Sequence, residues 1–144
     1  MAQRKEYRIH PLDLKRNVAI GVVLPMGGNP LFKLSYTTEE QALSNLKNLL
    51  LTRKGERPFQ PLFGTNIYSI LFEQLSLDTS TVLKDSLEDD IRFWLPYIII
   101  DDLVITQEND FNRINIMLNV RVSQNGVNTP IIIMVSDQGS ITIV

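Results

Sequence analysis

Ile114, Ile116, Leu118, Val120 and Val122 alternate strictly with Asn115, Met117, Asn119 and Arg121, the period of a β-strand with one apolar side and one polar side. Such a strand needs a second layer against its apolar side. Residues 97–106 and 131–135 read as its neighbours, with turns near 108–110 and at Asn125-Gly126, and Ile141, Thr142, Ile143 and Val144 read as a terminal strand.

Upstream the period becomes helical. Thr37 and Glu40 have the spacing of a capping box, and Ala42, Leu43, Leu46, Leu49 and Leu50 follow at three- and four-residue intervals, with Gly55 as the expected stop. A short helix is expected around 67–72. In a further helix Val82, Leu83, Leu87, Ile91, Trp94 and Leu95 form the stripe, Asp78, Thr79 or Ser80 supplies the cap, and Pro96 marks the end. Residues 17–26 are β-branched, and Gly27, Gly28, Asn29 and Pro30 then turn the chain into 31–36, a hairpin pattern. Residues 1–16 are polar, with Pro11 limiting helix, and read as an arm. The whole is an α+β fold: an N-terminal arm and short strands, two to three helices, then a C-terminal antiparallel β-meander. No repeat or low-complexity linker divides residues 17–144.

Composition narrows the chemistry. With 144 residues, 44% of them hydrophobic, one core that buries roughly two-thirds of the unfolded surface is expected. The net charge is −2 and the cations are scattered, which argues against a nucleic-acid partner bound through phosphate. There is no cysteine and His10 is the lone histidine, so no disulfide, thiolate metal site or multi-histidine site is expected, and neither a metal nor a cofactor is predicted. The absence of cysteine fits a reducing cytoplasm. No apolar stretch, 97–100 included, approaches the ~20 residues of a membrane helix, and no signal-type apolar core opens the chain. A soluble, non-membrane protein is the expectation.

The specific wording lies between the first two helices. Lys54, Gly55, Glu56, Arg57, Pro58, Phe59, Gln60, Pro61, Leu62, Phe63 and Gly64 make a loop bracketed by two prolines that deny it a regular helix, closing on Leu71, Phe72 and Glu73. It resembles the baseplate wedge and sheath-initiator family of contractile tails, typified by the gene 25 product of T-even phages and shared with the TssE component of type VI secretion baseplates. In that family a helix runs into a T-R-K-G-x-R-P or R-G-E-R-P segment, then P-x-F-G and a short L-F-E helix. Thr52 to Pro58, Pro61, Phe63, Gly64 and Leu71 to Glu73 match, and the likeness spans roughly residues 40–122. One departure is that the family's Glu-Pro-Arg triplet at the end of the long helix corresponds here to Leu95, Pro96 and Tyr97, so the proline is kept and both charges are absent.

The resemblance implies a non-enzymatic subunit of a virion tail baseplate, assembled in the host cytoplasm with sixfold copies. Its partners would be the large wedge proteins, bound near the triplet, the tail sheath protein, and inner-baseplate or hub proteins. Phe93 and Tyr97 are the aromatic interface candidates beside Leu95 and Pro96, while Trp94 and Leu95 also continue the buried stripe. Replacing the two charges by Leu and Tyr predicts a less polar partner surface there. The terminal strand 141–144 would either template sheath by β-augmentation or simply complete this chain's own sheet.

Other features have local readings. Arg57 would pair with Glu56 or Glu73, and Phe59 and Phe63 would cover the core. Glu88, Asp89 and Asp90, like Asp101 and Asp102, read as solvated acids, since sequence neighbours do not converge on one ion along a helix. His10, in the polar arm, is given no chemistry. The rival function is a lysozyme-type glycoside hydrolase, which needs two carboxylates roughly 5 to 10 Å apart across a sugar cleft; the candidates are Glu56 and Glu73, and nothing in the sequence suggests a cleft. A third reading is the same role in a secretion system or domesticated tail.

Overall fold

A computed structural model describes residues 11–15, 17–24, 26, 28–72, 77–108, 113–122, 128–136 and 141–143. Pro11 does not prevent a turn: it opens a 3-10 segment, Pro11–Leu14, since proline is tolerated in a first turn where its missing N–H is not needed. From this segment the Asp13 carboxylate accepts the Thr38 amide and the Thr38 hydroxyl, both at 2.8 Å. The N-terminal side is thereby tied to the start of the first long helix, where an acid also suits the helix dipole. His10 lies outside the described residues.

The expected hairpin is present, with β1 (Gly21–Val22) antiparallel to β2 (Leu34–Ser35). Helix α1 (Thr38–Leu51) starts on the predicted cap: the Thr37 hydroxyl accepts the Glu40 amide at 3.2 Å. Only half of the capping box forms, because the Glu40 carboxylate turns to the Tyr36 amide instead, at 3.1 Å. The stripe is buried through Ala42, Leu46, Leu49 and Leu50.

The helix stops at Leu51, ahead of Gly55. Thr52 is extended (φ −94°, ψ 130°), and its hydroxyl bonds back to the Asn48 carbonyl at 2.6 Å. That extension lets Arg53 bridge to Thr65 in parallel register, with the Thr65 amide on the Thr52 carbonyl at 2.9 Å. The short helix is a 3-10 segment, Ile67–Phe72.

Helix α2 (Leu77–Trp94) places Asp78, Thr79 and Ser80 inside its first turn rather than ahead of it, so they are not its N-cap. Its buried stripe is Leu83, Leu87 and Ile91, continued by Leu95 just beyond the helix, while Val82, one position off that line, is exposed. Trp94 is half-buried against the core.

The second half is a four-stranded antiparallel meander, β3 (Ile98–Glu108), β4 (Arg113–Val122), β5 (Asn128–Ser136) and β6 (Ile141–Ile143), in chain order. β4 alternates as expected: Ile114, Ile116, Leu118, Val120 and Val122 are buried, and Met117 is exposed. β3 carries a break in register between Ile100 and Asp102, where Asp101 is the extra residue. Ile98 and Leu103 are both buried although one is even and the other odd, because the bulge moves the inward side from even to odd positions. The two consecutive aspartates thus both stand outside. Asp101 takes the Arg121 guanidinium at 2.6–2.9 Å, and that hydrogen bond first, then the charge, raise Arg121 above its ordinary value.

Sheet and helices meet in one core, of which Leu46, Leu50, Ile91, Ile116 and Val120 are fully enclosed. Each such side chain contributes about 1.5–3 kcal/mol of burial. No helix among the described residues is long and apolar enough to cross a membrane.

Because the bulge sets inward parity, deleting Asp101 turns either Ile98 and Ile100 or Leu103 and Ile105 outward. The expected loss is at least about 3 kcal/mol in urea unfolding. Asp101→Ala keeps the bulge and loses only an exposed ion pair, and should leave the unfolding midpoint nearly unchanged.

Candidate functional site

The proline-bracketed loop is built almost wholly from its own hydrogen bonds. The Glu56 carboxylate accepts the Arg53 amide at 3.1 Å, the Glu56 amide returns to the Arg53 carbonyl at 3.2 Å, and the Gly55 amide crosses to the Pro61 carbonyl at 2.7 Å. Bonds from Gln60 to Arg57 and from Phe63 to Gln60 tighten the far side, at 3.2 and 3.0 Å. Gly55 (φ 89°) and Gly64 (φ 121°) take backbone conformations that favour glycine. At Gly64 a Cβ would also stand 2.5 Å from the Thr52 carbonyl oxygen, so the strand-like closure on Thr52 needs a residue with no side chain.

Arg57 pairs with no carboxylate among the described residues. It lies 4.0 Å from the centre of the Phe63 ring and donates to the Asn48 side chain at 3.2 Å. Phe63 meets Trp94 edge to face at 5.2 Å, and Trp94 meets Phe93 in the same way at 5.1 Å. Phe63 therefore covers the core as expected, whereas Phe59 is 99% exposed and does not. Leu62 is likewise exposed on this braced loop.

Asp90 is not a solvated acid. The Lys54 ammonium reaches it at 2.6 Å, with side chains 30% and 14% exposed, which locks the loop to α2 across a sequence separation no local pattern could reveal. Its second carboxylate oxygen has no hydrogen-bond partner among the described residues.

At the end of α2, Phe93 is 75% exposed, Pro96 is exposed and Tyr97 is half-buried, whereas Leu95 is enclosed in the core. Of the four residues proposed there, three reach the surface. Tyr97 is held by a polar chain unreadable in the sequence: Ser35 donates to Gln41 at 2.6 Å, Gln41 to Asn45 at 2.9 Å, and Asn45 to the Tyr97 hydroxyl at 2.9 Å. A cavity of about 230 Å³ opens beside it, walled by Ile20, Ala42, Tyr97 and Val122. The terminal strand pairs within the chain, with Ile141, Thr142 and Ile143 against Val135, Met134 and Ile133. β6 and β3 are therefore the two sheet edges; Val144, like Glu73, lies outside the described residues.

The family model described as baseplate wedge protein gp25 matches residues 37–127, a span that holds the loop, both helices and β3–β4. The baseplate wedge protein gp25 of Enterobacteria phage T4 is 32% identical over 85 residues, 56% of this chain and 63% of that protein, so the match spans somewhat less than two-thirds of the relative. Three solved structures share the fold. A tail lysozyme candidate from Geobacter sulfurreducens superposes with TM-score 0.61 at 20% identity, over 69% of this chain and 91% of that one. A chain of the anti-feeding prophage baseplate gives 0.61 at 18%, over 71% and 83%. One from a type VI secretion baseplate complex gives 0.55 at 19%, over 67% and 90%.

Two substitutions separate conformation from close approach in the loop. Gly55→Ala, with open space around its Cβ, should cost about 1 kcal/mol in chemical denaturation. Gly64→Ala adds a backbone clash and should cost about 3 kcal/mol or more. A double-mutant cycle on Lys54→Met and Asp90→Asn should return a coupling of about 1 kcal/mol.

Proposed function

The chain belongs to the baseplate wedge protein gp25 family, and from that membership we propose that it is a structural subunit joining the large wedge proteins to the first sheath ring of a contractile tail. The carrying observation is the family match across 37–127, which includes the corner formed by Phe93, Pro96 and Tyr97. There, exposed aromatic surface stands on a rigid base, since Trp94 and Phe63 back Phe93 and the Asn45 amide fixes Tyr97. Rigid aromatic anchors lose little side-chain entropy on binding. The wedge proteins bind at this corner, through a surface less charged than a Glu-Pro-Arg triplet would meet.

Sheath recruitment belongs to the sheet edge. Among the described residues β6 pairs through one side only, and its other side carries backbone donors and acceptors that an incoming strand can extend. In this reading β6, paired within the chain through Ile141–Ile143, is a template rather than a strand lent to another protein. Sixfold copies, a tail-baseplate location, assembly in the host cytoplasm and contact with hub proteins complete this reading. The likeness to prophage and type VI baseplate chains favours a second setting, the same subunit in a phage-derived or secretion machine.

A glycosidase reading draws on the tail lysozyme candidate among the similar structures. The described geometry gives it little: Glu56 is exposed and holds the Arg53 amide in a turn, and the cavity beside Tyr97 has no acid in its lining. We assign a non-enzymatic role.

Phe93→Ala with Tyr97→Ala should abolish co-purification of the large wedge proteins while the isolated domain, though destabilised, still unfolds cooperatively above the assay temperature; undiminished co-purification refutes the corner as the wedge contact. Removing residues 140–144 should leave wedge assembly intact and stop sheath polymerisation. Purified protein should release no peptidoglycan fragments, and turnover that disappears in Glu56→Gln or Glu73→Gln would establish the enzyme instead.

A further inference from the structure

A second cavity of about 250 Å³ is lined by Arg53, Lys54, Thr65, Asn66, Tyr68 and Ser69. Most of its polar groups are already engaged. The Lys54 ammonium is on Asp90, the Thr65 hydroxyl donates to the Leu50 carbonyl at 3.2 Å, and the Ser69 hydroxyl donates to the Asn66 carbonyl at 2.6 Å. Tyr68 is fixed from its far end, its hydroxyl on the Leu51 carbonyl at 3.4 Å. Two donor groups are left over: the Arg53 guanidinium and the Asn66 side-chain amide find no acceptor among the described residues.

The Arg53 guanidinium is exposed but not loose. Its carbon lies 4.2 Å from the centre of the Tyr68 ring, and its backbone is held by the Glu56 carboxylate and by the bridge to Thr65. A guanidinium against a ring keeps its planar fork of N–H groups, and the matching ligand for such a fork is a carboxylate taken through two parallel bonds. With Lys54 neutralised by Asp90, the cavity carries one net positive charge on a chain whose net charge is −2. A nucleic-acid backbone needs a run of cations, and here there is one fork.

We infer that this cavity is a docking site for a single Asp or Glu side chain of a neighbouring protein in the assembly, held by the Tyr68-backed Arg53 fork with Asn66 as the second donor. That the carboxylate comes from a baseplate neighbour rests on the function proposed above; its recognition does not. Such a contact uses none of the residues of the Phe93–Tyr97 corner or of the β6 edge, and gives the loop a binding role separate from either.

The test is a titration of the full chain with the α-amide of N-acetylglutamate, whose one carboxylate is the side chain's, and with the α-amide of N-acetylglutamine at equal ionic strength, read by NMR at the Arg53 Nε–Hε and Asn66 amide signals. Saturable shifts with glutamate alone are expected, lost in Arg53→Gln and weakened about fivefold in Arg53→Lys, whose ammonium lacks the fork. Equal shifts with glutamine, or an unchanged Asn66 response in Arg53→Gln, overturn the site. Tighter binding of inorganic phosphate than of glutamate overturns its assignment to a protein carboxylate. Glu73→Gln is the internal control: binding that appears only in that variant means the chain's own carboxylate fills the fork, and the inference fails. Loss of wedge co-purification in Phe93→Ala with Tyr97→Ala bears on the function and leaves these shifts untouched.

Discussion

When the Thr65 amide meets the Thr52 carbonyl at 2.9 Å, the chain returns to the end of α1 after a long excursion and resumes its course. Closing a loop of that size costs conformational entropy, and a closure made of one backbone bond and one isolated bridge could not bear it alone. Internal bonds at Arg53, Gly55, Gln60 and Phe63 stiffen the excursion, and Gly64 lets two backbones approach where any Cβ would collide. From this junction the geometry spreads outward. Lys54 reaches Asp90 on α2, Phe63 reaches Trp94, and α2 in turn ends at the corner that presents Phe93, Pro96 and Tyr97.

The sheet answers a different constraint. Its inner face is covered by the helices, and its outer face carries Val104 paired with Met117 across β3 and β4, both exposed. The bulge at Asp101 reconciles a strand of consecutive isoleucines with one-sided burial, and turns its extra residue to the Arg121 guanidinium. Among the described residues the sheet ends at β3 and β6, and the three-residue length of β6 limits uncontrolled pairing at that edge.

Much of this architecture is legible from periodicity. The alternation in β4 and the Leu83–Leu87–Ile91 stripe of α2 survive intact, because a pattern repeated over many residues outweighs local preferences. Boundaries are less legible where a competing bond is long-range. Gly55 has the look of a helix stop, yet the helix ends earlier, because Thr52 is drawn into extended pairing with Thr65. Asp90 reads as a surface acid until Lys54, far off in sequence, is folded against it. Phe59 resembles a core residue by composition and stands fully in solvent, since Phe63 already occupies the place against Trp94. The Ser35–Gln41–Asn45–Tyr97 chain is invisible for the same reason: amide and hydroxyl side chains carry no periodic signature, and their partnership exists only once the hairpin, α1 and the start of the sheet converge.

A loop so rich in charge, proline and aromatic residues invites a catalytic reading, and the fate of each polar group argues against one. Glu56 serves a backbone amide, Lys54 an acid on α2, and Arg57 a ring and an amide side chain. A general acid or nucleophile must be free to exchange protons or attack, and groups consumed in holding a turn are not. What such a network leaves over is more informative than what it uses. Arg53, stacked on a ring whose own hydroxyl is tied down, is held in place with no carboxylate on its guanidinium among the described residues. Orientation before binding is what lets a single surface charge discriminate among partners, since an unheld arginine would spend its entropy to form the same two bonds. Rigidity of this kind is what the loop's many internal bonds give to Arg53.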